Sequence, residues 1–384
     1  MIKSLYIHYP YCRHLCNYCD FYKLKQTPAQ REHQEKLFQT YLTSSLKILQ
    51  EKVHEEYHIS FAPLETLYIG GGTPSLLGAS GAKWLHHFLK SSQINFAPSG
   101  HEFTLEIDPG TMTAPDLKVW QETGVNRYSF GLQTLDEKLI EVCDRKSKMG
   151  EVIETLELIS AQNVNFSVDF LLGIPHSGSR NLESELKQIL SYSPKHISLY
   201  ILNPKTNYPL KKFIPEDELV AKEYQFVDEF LSAHGFRHYE VSNYALPGFE
   251  GKHNYGYWFR KNIAALGPSA AGHYQFGDNN FLRYVWTESL LKQEYELEIL
   301  RPDQVLLEDF YLRFRVAENF NLDDFHSLSP KESGKLVDLF SEWADKKYLL
   351  TNDMVKGKTK YQFTSQGWII LDSLMKELLQ RIKF

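Results

Sequence analysis

The sequence predicts an α/β protein: a partial (β/α)6-type parallel barrel followed by a C-terminal α/β module of winged-helix-like pattern. Three observations carry this. Up to about residue 246, short β-rich runs alternate with longer helical patterns, the signature of stacked βα units around a parallel sheet. From about Asp303 the pattern becomes helix, helix, two short strand runs and a final helix. Between them, Tyr244 to about Asp278 is rich in Gly, Tyr, Asn and His with little periodicity, and reads as loop, where function concentrates. Residues 1–245 are therefore expected to form the barrel, 246–302 a glycine and aromatic loop region with its connection, and 303–384 the terminal module.

The strand candidates are Leu5 to Tyr9, Thr66 to Gly70, Glu102 to Ile107, Arg127 to Leu132, Asn165 to Leu172, Ile197 to Leu202 and, as a seventh, His238 to Ser242. They are too few for a closed eight-stranded barrel but enough for an open one, whose site would lie at the strand C-terminal ends. Helical patterns run from Pro115 to Glu122, Glu151 to Ala161 and Glu216 to Ala233, the last stopped by Gly235. In the terminal module, helices are expected at Asp303 to Val316 and Pro330 to Ala344, strand runs at Tyr348 to Leu350 and Tyr361 to Thr364, and a helix at the end. Its mixed charge, with no basic stripe on one helix, favours a packing or lid role over DNA binding.

Composition narrows the function classes. Against 48 Asp plus Glu stand 42 Lys plus Arg, a formal net charge of −6 that argues against a nucleic-acid binder. With 42% hydrophobic and 23% charged residues, the 384-residue chain can bury full cores in two or three domains. No apolar run exceeds four residues, so no transmembrane segment is expected. Met1-Ile2-Lys3-Ser4 leads straight into a strand-like run without an apolar leader, which points to the cytoplasm.

Of four cysteines, Cys12, Cys16 and Cys19 form a C-x3-C-x2-C run after the first strand. That clustering is metal chemistry rather than a disulfide framework. Zinc would require His8 or His14 as a fourth ligand. A four-iron cluster held by three thiolates would keep one iron free for another ligand. Cys143 can close the shell in principle, but it lies in a helix-like stretch, where a buried free thiol is commoner.

A second strand runs into Gly70-Gly71-Gly72-Thr73-Pro74-Ser75. Exposed amides in such a turn would favour a carboxylate, although glycines alone also make a plain tight turn. Other strand ends carry polar groups: Glu106 with Asp108, Gln133, and Asp169. Singly these are more often structural; converging on one rim, they read as a site. Arg145 follows in the adjoining segment, either as a fork for a cofactor carboxylate or as a solvated surface residue.

C-x3-C-x2-C on the loop after the first strand resembles the radical S-adenosylmethionine (SAM) superfamily. Tyr6 to Cys12, Gly70 to Ser75, Glu106 to Thr111, Gly131-Leu132-Gln133 and Asp169 to Pro175 together resemble the oxygen-independent coproporphyrinogen III oxidase family. The family has a decarboxylase branch and a heme-chaperone branch. The decarboxylase carries a further cysteine two positions after the last cluster ligand, where this chain has Phe21, and a longer N-terminal arm. His253-Asn254-Tyr255-Gly256-Tyr257-Trp258 is an H-N-x-x-Y-W motif similar to the chaperone branch's signature.

This resemblance implies a 4Fe-4S cluster on Cys12, Cys16 and Cys19, contacts to the cluster-bound SAM from Tyr6, Gly71 and Glu106, and contacts to a second SAM from Gly72, Thr73, Gln133, Arg145 and Asp169, joined by Tyr18. His253 is the candidate heme ligand, as neutral imidazole suits heme iron, with Tyr255, Tyr257 and Trp258 stacking on the porphyrin. The alternative for this motif is an aromatic corner holding the loop onto the barrel. The expected function is heme binding and transfer to acceptor proteins, among them respiratory membrane proteins, with an electron donor for the cluster and a homodimer left open. The rival is oxidative decarboxylation of coproporphyrinogen III, so whether the chain is an enzyme, and which residues would be catalytic, stays open.

Overall fold

The computed structural model describes residues 1–277, 280–325, 328–355 and 358–382. A single sheet of twelve strands dominates it. In chain order the strands are β1 (Ile2–Tyr9), β2 (Phe61–Gly71), β3 (Glu102–Ile107), β4 (Arg127–Gln133), β5 (Phe166–Leu172), β6 (His196–Ile201), β7 (Arg237–Glu240), β8 (Asn243–Ala245), β9 (Ile263–Leu266), β10 (Ala271–Phe276), β11 (Asn280–Trp286) and β12 (Tyr295–Ile299). Across the sheet the order is β12-β11-β10-β9-β1-β2-β3-β4-β5-β6-β8-β7, with no closure between β12 and β7. Strands β9 and β1 to β6 run parallel. The fold is thus mixed α/β with a large, mostly parallel open sheet.

The parallel strands are buried on both faces, as near-continuous apolar runs require. Helices Arg31–Leu49, Gly78–Ser91, Ala114–Glu122, Met149–Ala161, Leu182–Ser191 and Asp217–Ala233 connect them. The last ends as its glycine predicts: Gly235 adopts φ +84°, and its N–H returns to the Ser232 carbonyl.

Two expectations need correction. His238 to Ser242 is not a seventh parallel strand: β7 ends at Glu240 and the chain reverses into antiparallel β8. The buried Glu240 carboxylate drives the reversal by accepting the Ser242 N–H and the Asn243 side-chain amide. The seventh parallel strand is β9, inside the segment expected to be loop, which also contains a helix, Lys252–Trp258, and β10. All four residues of Ile263–Leu266 are fully buried, so the run has no alternation of polar and apolar positions to betray it.

The terminal module has its own core of Phe310, Phe314, Phe320, Phe340, Trp343 and Leu378 among others. It comprises helices Pro302–Arg313, Pro330–Asp345, Ser365–Ile369 and Leu371–Arg381 around a hairpin, Leu349–Val355 with Lys358–Phe363. Ser329 and Glu332 form a reciprocal capping box ahead of Pro330. The module is laced to the free edge of β7: Val241 N–H donates to the Arg315 carbonyl at 2.7 Å and Ala317 N–H to the Tyr239 carbonyl at 2.9 Å. An edge that would otherwise invite foreign strands is thereby covered. Among the described residues no helix is long and apolar enough to cross a membrane.

Candidate functional site

The cysteine loop leaves β1 and is pinned at its ends. Leu24 N–H donates to the Pro10 carbonyl and Gln26 N–H to the Cys12 carbonyl, while Arg13 reaches across to the Gly110 carbonyl at 3.0 Å. Within the loop, Cys19 N–H turns back on the Cys16 carbonyl. Burial pushes the Cys12 thiol up to about 12, with Cys16 and Cys19 raising it further, and the Cys16 thiol up to about 11, with Cys19 raising it further. Three thiolates can therefore share this loop only if a cation compensates them, which is the chemistry of a cluster or metal site. The donor set fits such a centre, although no group of three or more His, Cys, Asp or Glu side chains among the described residues is drawn tightly enough to hold an ion as it stands.

Of the two histidines open to a zinc reading, only His14 keeps a ring nitrogen free among the described residues. His8 has both ring nitrogens engaged, with the Tyr6 hydroxyl at 3.1 Å and the Tyr22 carbonyl at 2.8 Å. His14 lies 3.0 Å from the Asp144 carboxylate. Cys143 is buried with Leu139, Ile174 and Tyr208, a packed thiol rather than a ligand.

The glycine turn ties β2 to the cysteine loop. Its amides are already used: Gly71 N–H donates to Glu106 Oε2, Gly72 N–H to the Tyr9 carbonyl and Thr73 N–H to the Tyr11 carbonyl. They staple the cysteine loop to β2 and leave no amide cradle for an anion. Glycine is required by close approach. A Cβ on Gly71, at φ +108°, would lie 2.5 Å from the His8 ring, and one on Gly72 would lie 2.6 Å from the Tyr11 carbonyl oxygen.

Two carboxyl groups lie inside the strand ends. Burial pushes Glu106 up to about 7, with Asp169 raising it further, and burial pushes Asp169 up to about 6. Glu106 accepts from the Tyr68 hydroxyl at 2.8 Å; Asp169 accepts from Ser129. Arg127, buried at the base of β4, opposes both charges and was missed by the sequence reading. Its signal was a charge opening an otherwise apolar strand.

Arg145 is buried rather than solvated. It donates to the Asp108 carboxylate, to the Gly131 carbonyl at 2.8 Å and to the Tyr18 hydroxyl at 3.3 Å. With Thr73, Cys16, Asp108 and Arg13 it walls a small cavity of about 90 Å³ beside the cysteine loop. Gln133, at φ +71°, closes the same rim, its backbone carbonyl facing Arg180. The structure therefore brings Tyr18, Thr73 and Arg145 to the Cys16 side, and Tyr6, Gly71, Glu106 and Asp169 to the interior.

The H-N-x-x-Y-W motif lies on the helix Lys252–Trp258, capped by Glu102, whose carboxylate accepts the N–H groups of Lys252 and His253 at 3.0 Å each. His253 points inward: only 2% exposed, it meets Thr66 at 2.8 Å through Nδ1 and stacks on Tyr68. Burial lowers it to about 3, so the imidazole stays neutral, and among the described residues Nε2 has no partner. Tyr255 turns elsewhere, its hydroxyl donating to Glu318 at 2.8 Å. One turn apart, Asn254 and Trp258 face a cleft of about 1050 Å³ between the sheet and the terminal module, and Tyr257 joins them. Tyr200, Glu240, Arg315 and Trp368 complete its principal walls. The cleft and the interior share residues: Tyr200 senses Asp169 and Glu106, and Tyr257 senses Tyr6. His253 itself is not on the cleft wall, so the motif supplies both a packed corner and a cleft lining.

Comparison with known proteins matches residues 6–189 to the radical SAM superfamily. Relatives named heme chaperone HemW include one from Synechocystis, 31% identical over 91% of this chain and 86% of its own. Another from Bacillus subtilis is 34% identical over 71% of each chain, and one from Escherichia coli is 27% identical over 98% of each. The solved structure of coproporphyrinogen III oxidase HemN from Escherichia coli, a radical SAM enzyme, shares the fold with a TM-score of 0.77 at 17% identity, over 98% of this chain and 89% of that one.

Proposed function

Because the chain belongs to the HemW family of radical SAM proteins, we propose that it is a heme chaperone that binds heme and passes it to acceptor proteins. The observation that carries this is the cleft of about 1050 Å³, large enough for a broad flat ligand and walled by Trp258 and Tyr257 of the H-N-x-x-Y-W motif. Radical SAM membership implies a 4Fe-4S cluster and SAM. Cys12, Cys16 and Cys19 would hold the cluster; Tyr6, Gly71 and Glu106 would meet the SAM it binds. Gly72, Thr73, Gln133, Arg145 and Asp169, with Tyr18, would serve a second SAM. When bound, the cluster supplies electrons to SAM chemistry. The chain's own part is to seat the loop through the Gly71-to-Thr73 staples and to set two carboxyl groups, Glu106 and Asp169, against the interior.

His253, neutral with an Nε2 unpartnered among the described residues, is kept as the heme-ligand candidate, reached from the cleft past Tyr257, whose ring stands edge-on to it at 5.5 Å. Acceptors in the respiratory membrane and an electron donor complete the proposed setting, in the cytoplasm. The test is direct. Heme titrated into the anaerobically reconstituted protein should give a saturable Soret band, and incubation with coproporphyrinogen III, reductant and SAM should give no protoporphyrinogen. Appreciable product would replace the chaperone reading with the decarboxylase one.

A further inference from the structure

The cleft's cation stands out by what it lacks. Arg315 follows the helix Pro302–Arg313 and is held by its backbone to Val241, so its position is fixed by the seam between module and sheet. Its side chain is 13% exposed and lines the cleft. One guanidinium nitrogen donates to the Tyr311 carbonyl at 2.9 Å, and the group lies over the Tyr311 ring at 3.4 Å and toward the Trp258 ring at 5.9 Å. The anion nearest in geometry is Asp372, 3.9 Å away and 83% exposed, a partner too solvated to neutralise it. Glu240, buried on the same cleft, does act on Arg315, but burial pushes its carboxyl up to about 7 and the group is already engaged by Ser242 and Asn243, so it neutralises the guanidinium only in part.

Two other buried arginines behave oppositely. Arg127 and Arg145 face carboxylates of the chain and are raised above the ordinary arginine value, whereas burial lowers Arg315. A half-buried guanidinium with donors to spare, beside an indole and facing a large cleft, is the arrangement that receives a carboxylate on the edge of an aromatic ligand. We propose that Arg315 is the carboxylate anchor of the cleft, receiving one propionate of heme while the porphyrin lies against Trp258. This rests on the cleft being the heme site.

The test separates the two claims. Ferric heme and its dimethyl ester, which keeps the ring but has no carboxylates, are titrated into the full-length protein and its Arg315→Gln and Arg315→Lys variants. Arg315→Gln should weaken heme about tenfold or more while leaving the ester within twofold of wild type, and Arg315→Lys should retain most of the heme affinity. Wild-type heme affinity in Arg315→Gln would overturn the anchor, as would equal loss of heme and ester, which would make Arg315 a structural prop. Failure of the wild type to take up either porphyrin would instead overturn the chaperone reading, and the anchor with it.

Discussion

The rim around the cysteine loop and the cleft beneath the terminal module treat their polar groups in opposite ways. At the rim most groups find partners within the chain: Arg145 has Asp108, Gly131 and Tyr18, and Gly71, Gly72 and Thr73 spend their amides on Glu106 and the loop, though Asn17 keeps a buried oxygen unpartnered among the described residues. In the cleft the ion pair of Arg315 is with the exposed Asp372, its buried neighbour Glu240 is pushed up to about 7 by burial, and among the described residues Asn243 keeps a buried side-chain oxygen without a partner. A largely saturated network is rigid and fits a group that stays bound. An under-neutralised wall is poised for something that arrives and leaves.

That contrast can be broken at four points. Replacing Cys12, Cys16 and Cys19 together with alanine should abolish iron and sulfide incorporation and the brown absorption, yet leave heme affinity within about threefold, since the loop is no part of the cleft wall. Loss of heme binding in that variant would merge the two regions.

Next is Glu240, fully buried on the cleft and pushed up to about 7. Because its folded value is raised above the ordinary 4.5, the folded state binds the proton more tightly. That contribution is complete below about pH 4.5 and lost as pH climbs through about 7. Glu240→Gln, which cannot ionise, should gain on the wild type by about 3 kcal/mol across that window, read from denaturant midpoints at successive pH values. A flat difference would mean that the carboxyl is compensated after all.

Gly71→Ala should destabilise by about 2 kcal/mol in the same assay, from the positive φ and the His8 clash. A tolerated alanine would show the rim to be softer than described. The smallest effect sharpens the cleft: Trp258→Leu should weaken heme by about fivefold, roughly 1 kcal/mol, while Tyr255→Phe should change it by less than about twofold. Equal losses would put Tyr255 on the ligand, against its bond to Glu318.

Much of the parallel sheet was legible because each strand is a bounded apolar run, and the helix Asp217–Ala233 because it carries its stop at Gly235, whereas Arg31–Leu49, which runs on past its end without a glycine, was not. Strand β9 was hidden for a physical reason: Ile263-Ala264-Ala265-Leu266 is too short to show a period and sits among glycines and aromatics that look like loop. The cysteine triplet was legible because metal chemistry constrains spacing along the chain. The glycine turn was legible as a place but not as a role, since only the fold reveals that its amides are spent on Tyr9, Tyr11 and Glu106. Arg127, Glu102 and Arg315 acquire meaning from partners far away in sequence, and no local pattern marks such pairs.

Strand β1 lies between β2 and β9, with Ser4 opposite Ile263. The second of those neighbours is therefore made some 260 residues after the first strand emerges. At about 5–20 residues per second of synthesis, the nascent chain must wait well over ten seconds before the strand that carries the cysteine loop can be flanked on both sides. Completion of the sheet around β1 is thus a late event, whereas the partners that pin the cysteine loop, Gly72, Thr73 and Gly110, are all made within the first 110 residues, so the thiols can be gathered long before the sheet that will enclose them is finished.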